Sequence, residues 1–183
     1  MAQKGFFYDM TICSGCKTCQ IACKDKNNLE VGVLFRKVHS FEGGKYPEPW
    51  AYPLSIACNH CAHPKCVENC PTGALSKRIE DGVVLHSKDK CIGCKLCTWS
   101  CPYGAPQYIA KEGKAGKCDL CSDLILKGEN PACVDACMMR ALEYGDIDEL
   151  RKKHGGTSDV IGLPSSDITS PSITICPNTY AKH

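Results

Sequence analysis

Sixteen of the seventeen Cys in this 183-residue chain stand in four groups of four. The first is Cys13, Cys16, Cys19 and Cys23, the second Cys58, Cys61, Cys66 and Cys70, and the third Cys91, Cys94, Cys97 and Cys101. The fourth is Cys118, Cys121, Cys133 and Cys137, with eleven residues between its second and third members. In every group the last two Cys are four residues apart, which puts both on one face of a helical turn. Any fold available to this chain must bring sixteen thiols to defined places.

The groups are of two kinds. Asp9 leads into Cys13-Ser-Gly-Cys16-Lys-Thr-Cys19, and Asp89 into Cys91-Ile-Gly-Cys94-Lys-Leu-Cys97. The second and fourth share a longer middle and a common exit: Pro64-Lys-Cys66-Val-Glu-Asn-Cys70 runs on to Ala74-Leu75, and Pro131-Ala-Cys133-Val-Asp-Ala-Cys137 to Ala141-Leu142. Matches at so many fixed offsets indicate a duplicated unit. The two middle groups form one compact copy. The outer groups carry the same two kinds in reversed order, so they are expected to close around the middle copy as a second, permuted one. The expected division is an outer unit of residues 1–50 and 108–155, an inserted unit of 51–107, and an extended C-terminal tail of 156–183.

Composition explains why the Cys are needed. They are about 9% of the chain, the range in which Cys acts as scaffold or ligand, and other apolar residues make up only about 34%. A core that thin, split over two small units, calls for staples. Residues 1–9 lack the apolar run of a secretory signal. No stretch approaches the roughly 18 uninterrupted apolar residues of a membrane helix. The expected location is therefore the cytoplasm, or export as a folded complex with a signal-bearing partner. Cytosolic disulfides are rare, which favours metal. A net charge of +2 with mixed signs gives no basis for nucleic acid binding.

The spacing identifies the metal group. A cubane iron–sulfur cluster needs one outside thiolate per iron; C-x-x-C-x-x-C wraps one cube, and a fourth Cys, often followed by Pro, reaches the neighbouring cube. Cys70-Pro71 and Cys101-Pro102 have that exit, whereas Cys23-Lys24 and Cys137-Met138 lack the Pro. Sixteen Cys then imply four [4Fe-4S] clusters and electron transfer. The alternative is four tetrahedral zinc sites, although zinc knuckles have no use for a triplet followed by a fourth Cys. There is no C-x-x-C-H haem motif, no P-loop and no dinucleotide-binding turn. His60 reads as a loop residue, Trp99 and Tyr103 as shields around a cluster, and Cys176 as a free thiol.

Secondary structure is sparse. The stretch 35–41 is strand-like, and Glu80-Asp81-Gly82 reads as a turn into a strand at Val83-Val84-Leu85. Asp146-Ile-Asp-Glu149 opens a short helix that carries Arg151, Lys152 and Lys153 in its last turn and ends at Gly155. Residues 156–183 are poor in charge and read as a tail that needs a surface to lie on.

With these groups placed, the chain resembles the iron–sulfur subunits of the dimethyl sulfoxide reductase family of molybdenum enzymes. The resemblance includes Gly5-Phe6-Phe7, Cys58-Asn-His-Cys61, Cys101-Pro-Tyr-Gly-Ala-Pro-Gln-Tyr108 and Ile147-Asp-Glu-Leu-Arg-Lys-Lys-His-Gly155. It implies an α+β chain of two ferredoxin-like units. Cys13, Cys16, Cys19 and Cys137 would hold one cluster, and Cys118, Cys121, Cys133 and Cys23 the next. Cys58, Cys61, Cys66 and Cys101 would hold a third, and Cys91, Cys94, Cys97 and Cys70 the fourth. Some relatives have Trp at the position of Cys94 and a three-iron cluster there; Cys94 implies a fourth cubane. The first cluster would face a large molybdopterin catalytic subunit, along which the tail would lie. The fourth would face a membrane anchor subunit or a soluble electron carrier. The chain would then be no enzyme by itself. The alternative is a free-standing polyferredoxin.

Overall fold

A computed structural model describes residues 3–182. In chain order it contains β1 (Lys4–Asp9), α1 (Thr18–Lys26), β2 (Lys37–Gly43), β3 (Trp50–Ile56), α2 (Lys65–Glu68), β4 (Leu75–Lys77) and β5 (Val84–His86). It continues with α3 (Leu96–Ser100), β6 (Gln107–Ile109), β7 (Lys114–Gly116), α4 (Ser122–Ile125), α5 (Ala132–Asp135), β8 (Leu142–Asp146), α6 (Ile147–His154) and β9 (Ile173–Cys176). The architecture is a mixed α+β assembly of short elements. Three antiparallel hairpins, β2–β3, β4–β5 and β6–β7, accompany one three-stranded sheet ordered β8-β1-β9.

The expected strand at 35–41 lies slightly later, at β2, and the turn at 80–82 opens β5. Asp81 shapes that turn by accepting from the Val83 N–H at 3.1 Å and by pairing with Arg78. Helix α6 forms as its caps dictate: the Asp146 carboxylate accepts from the N–H groups of Asp148 (3.0 Å) and Glu149 (3.3 Å), and Gly155 closes it at φ +64.

The C-terminal segment differs from the expected tail. The surface it lies on is the chain's own. β9 pairs in parallel with β1, setting Ile175 against Tyr8, and both side chains have no exposure. Tyr180 stacks on Trp50 at 5.3 Å, and Val160 and Ala181 are fully buried. A short alternation of apolar residues here closes a sheet begun at the other end of the sequence.

The borders expected at 50/51 and 107/108 fall just inside β3 and β6. Hairpins β2–β3 and β6–β7 thus straddle them, and the strand pairing of each hairpin runs across the joint.

Candidate functional site

The duplication is written into the backbone. Gly15 and Gly93 take φ +70 and +72, and Lys17 and Lys95 take +62 and +64, each pair at matching places before α1 and α3. His60 and Leu120 match at +43 and +62, as do Gly73 and Arg140 at +61 and +53. Left-handed turns between Cys let short loops fold the thiols inward, and non-glycine residues adopt them at a cost of about 1 kcal/mol or more.

These loops bring the Cys together in crossed sets. Cys13, Cys16 and Cys19 line a small cavity with Cys137. Cys58, Cys61 and Cys66 line another with Cys101. Cys91, Cys94 and Cys97 line a third with Cys70. The other four, Cys23, Cys118, Cys121 and Cys133, are all buried. They are one another's electrostatic neighbours: Cys23 faces Cys133 and Cys121, and Cys118 faces Cys23 and Cys133.

The first set adjoins the second, the second the third and the third the fourth. Helix α1, carrying Cys19 and Cys23, packs on α5, which carries Cys133 and leads to Cys137. Helix α2, with Cys66 and then Cys70, packs on α3, with Cys97 and then Cys101. Cys118 and Cys58 face each other across the middle. At the two ends Cys16 and Cys94 are exposed.

The surroundings fit an iron–sulfur cube. Among the described residues, no three His, Cys, Asp or Glu meet closely enough for a single ion. The sulfurs surround a space instead. In the wall of the Cys58 cavity, Asn59 Nδ2 is buried with no hydrogen-bond partner among the described residues, and the Thr169 hydroxyl faces Tyr103 Oη and the Cys61 thiol. Burial pushes the Cys23 and Cys66 thiols up to about 12 and Cys61 to about 11. Exposed Cys16 goes the other way, lowered by the Thr18 hydroxyl 3.3 Å from its sulfur.

One of the side chains singled out in the sequence is not where its position suggested. Trp99 shields nothing: it is 77% exposed, because α3 is a single turn with Cys97 facing inward. Tyr103 does line a cavity. His60 is in a loop but buried, its Nδ1 accepting from the Val84 N–H at 2.9 Å. Burial and the nearby Lys117, Lys77 and Arg78 charges push its pKa well down. Cys176 stands in β9, outside all four sets.

Two residues gave no signal in the sequence. Thr169 reaches the Cys58 cavity because its segment is stitched to the second Cys group: Ala62 N–H donates to Ser170 O (2.8 Å), His63 N–H to Thr169 O (3.0 Å) and Ser172 N–H to Asn59 O (2.9 Å). Arg36 is buried between the first two sets, and only the tertiary fold reveals it.

Residues 50–147 match the family described as a 4Fe-4S dicluster domain. The chain is 48% identical over 188 residues to the iron–sulfur subunit of the anaerobic dimethyl sulfoxide reductase of Escherichia coli K12, covering 98% of this chain and 91% of that one. The chain belongs to this family of iron–sulfur subunits. The family is broad. A sulfite dehydrogenase subunit of Allochromatium vinosum is 38% identical over 81% of this chain and 71% of its own length. The formate dehydrogenase iron-sulfur subunit of Wolinella succinogenes is 33% identical over 87% and 93%. As a family member with sixteen grouped Cys, the chain carries four [4Fe-4S] clusters and transfers electrons, and the zinc alternative is set aside. Among the described residues, no helix is long and apolar enough to cross a membrane.

Proposed function

We propose that the chain is the conduit of a molybdenum oxidoreductase complex, passing electrons between a bis-molybdopterin catalytic subunit and a second partner while catalysing no substrate step itself. The observation that carries this reading is the row of four Cys sets, buried in the middle and reaching solvent at Cys16 and Cys94. Each cluster supplies reversible one-electron transfer with its ligands unchanged. The residues of this chain fix where the clusters stand, what insulates them and what charge surrounds them.

In this reading Cys13, Cys16, Cys19 and Cys137 ligate the first cluster, and Cys118, Cys121, Cys133 and Cys23 the second. Cys58, Cys61, Cys66 and Cys101 ligate the third, and Cys91, Cys94, Cys97 and Cys70 the fourth. The cavities lined by crossed sets support this assignment. The packing of α1 on α5 and of α2 on α3 supports two nested ferredoxin-like units, an outer one of the first and fourth groups and an inserted one of the second and third.

Both ends of the row suit a docked partner. Exposed Ile12, Met138 and Met139 lie beside Cys13 and Cys137, and exposed Ile92, Leu96 and Trp99 beside Cys91 and Cys97. In this reading the first end meets the catalytic subunit and the fourth a membrane anchor or soluble carrier. Purification of the chain from its native source tests the reading. A stoichiometric complex with a large molybdopterin protein is expected; a chain recovered alone with all clusters, exchanging electrons with several unrelated enzymes, would make it a free polyferredoxin.

A further inference from the structure

Arg36 is 1% exposed, the most deeply buried cationic side chain among the described residues. It precedes β2 and sits where the first two Cys sets meet. Its guanidinium lies 4.6 Å over the Phe6 ring, and Nη1 donates to Ser55 Oγ at 3.2 Å. Ser55 Oγ is in turn 3.5 Å from Cys19 Sγ. Its nearest electrostatic partners are Cys133, Cys19 and Cys118, and its backbone N–H faces Cys23.

Two further facts make this placement unusual. No carboxylate pairs with Arg36 among the described residues, and its Nε and Nη2 are buried with no close acceptor, the guanidinium facing the Cys133 sulfur. A guanidinium cannot escape by losing its proton. A buried cation with no carboxylate beside it and two nitrogens short of acceptors is strongly disfavoured unless an anion lies beside it. Lys117, the next most buried cation, is different: its Nζ is satisfied by the carbonyls of Val84 and Cys118.

We propose that Arg36 is the shared counter-charge of the first two clusters, raising the reduction potential of both and donating its free Nε–H and Nη2–H to their sulfur atoms. The proposal rests on the ligand sets above. Reduction adds one electron to a cluster with no bond made or broken and no proton taken up, so the cluster becomes more negative. A fixed cation in a low-dielectric site favours that more negative state, and hydrogen bonds to the sulfurs act in the same direction. Because Arg36 stays charged at every working pH, its contribution is constant with pH. The pair of clusters nearest the first end is the pair that Arg36 keeps reducible.

The test is a redox titration followed by EPR on the intact complex carrying Arg36→Gln or Arg36→Lys. In Arg36→Gln the reduction equilibria of the first two clusters are expected to shift at least tenfold toward the oxidised state, about 59 mV for one electron. The other two clusters should not move, and Arg36→Lys should restore most of the shift. Unchanged potentials with all four clusters present, or an equal shift of all four, overturn the proposal. If Arg36→Gln fails to assemble, the wild-type complex decides: arginine labelled with heavy nitrogen should give nitrogen hyperfine coupling to a reduced cluster in pulsed EPR. No coupling overturns it. A failure of the ligand sets is separately visible, because Cys23→Ser would then disturb the cluster beside Cys19.

Discussion

Cys19 and Cys23 stand one turn apart on α1 yet face different sulfur sets, Cys19 lining a cavity with Cys137 while Cys23 lies among Cys133, Cys121 and Cys118. In the proposed assignment one helical turn would tie two cluster sites together, and α5 would repeat the device from the other side with Cys133 and Cys137.

Cys23→Ser is expected to alter the EPR signal of the cluster held by Cys118, Cys121 and Cys133 and to spare the one held by Cys13, Cys16, Cys19 and Cys137. A change confined to the latter would overturn the crossed assignment.

Ile175→Ala removes a fully buried side chain from the strand that closes the sheet against Tyr8. It should cost roughly 2–4 kcal/mol, read as loss of the visible cluster absorbance at a lower denaturant concentration. Val31→Ala, at a residue 97% exposed, should stay within about 0.5 kcal/mol of wild type.

Arg140 holds φ +53 at the place where the other copy has Gly73 at +61. Arg140→Gly should relieve the left-handed backbone and stabilise the chain by about 0.5–1 kcal/mol, after the entropy cost of glycine. Gly73→Ala should lose a similar amount, since an added Cβ there meets nothing within 4 Å and only the backbone is strained. Denaturation midpoints of the two variants, moving in opposite directions, check both.

Cluster retention should depend on pH through the buried thiols. Cys23 and Cys66 are pushed up to about 12 and Cys61 to about 11, chiefly by burial. Iron binds the thiolate, so a raised thiol pKa extends proton competition to every pH below about 11 to 12. Retention therefore weakens as pH falls, by about tenfold per pH unit for each thiol that must take up a proton. In the cluster-free chain the sign reverses. The raised pKa contributes stability that is complete below the ordinary thiol value of 9.0 and is lost as pH rises toward about 12. Iron release to a chelator in acidic and alkaline buffer, beside circular dichroism of the cluster-free chain, measures both directions.

The sites were legible because iron imposes its spacing on the chain: Cys13, Cys16 and Cys19 announce their loop without help from any neighbour. Arg36 and Thr169 were invisible for the opposite reason. Nothing local distinguishes a buried Arg from a solvated one, and Thr169 reaches its cavity only through backbone bonds to residues 59–63. The tail misled because β9 has four residues and its partner strand lies at the far end of the sequence. Trp99 misled because residue type suggests burial, whereas a one-turn helix with Cys97 inward leaves that side outside.

The central place of β1 in the sheet order β8-β1-β9 sets a timetable for synthesis. β1 leaves the ribosome before both of its neighbours and waits for them, and Cys13, Cys16 and Cys19 wait for Cys137 to complete their set. At translation rates of about 5–20 residues per second, those three thiols stand open for several seconds. The inserted sets, 58 to 101, are complete earlier. The sets are then completed from the fourth end of the row toward the first, and the end that would meet the catalytic subunit is finished last.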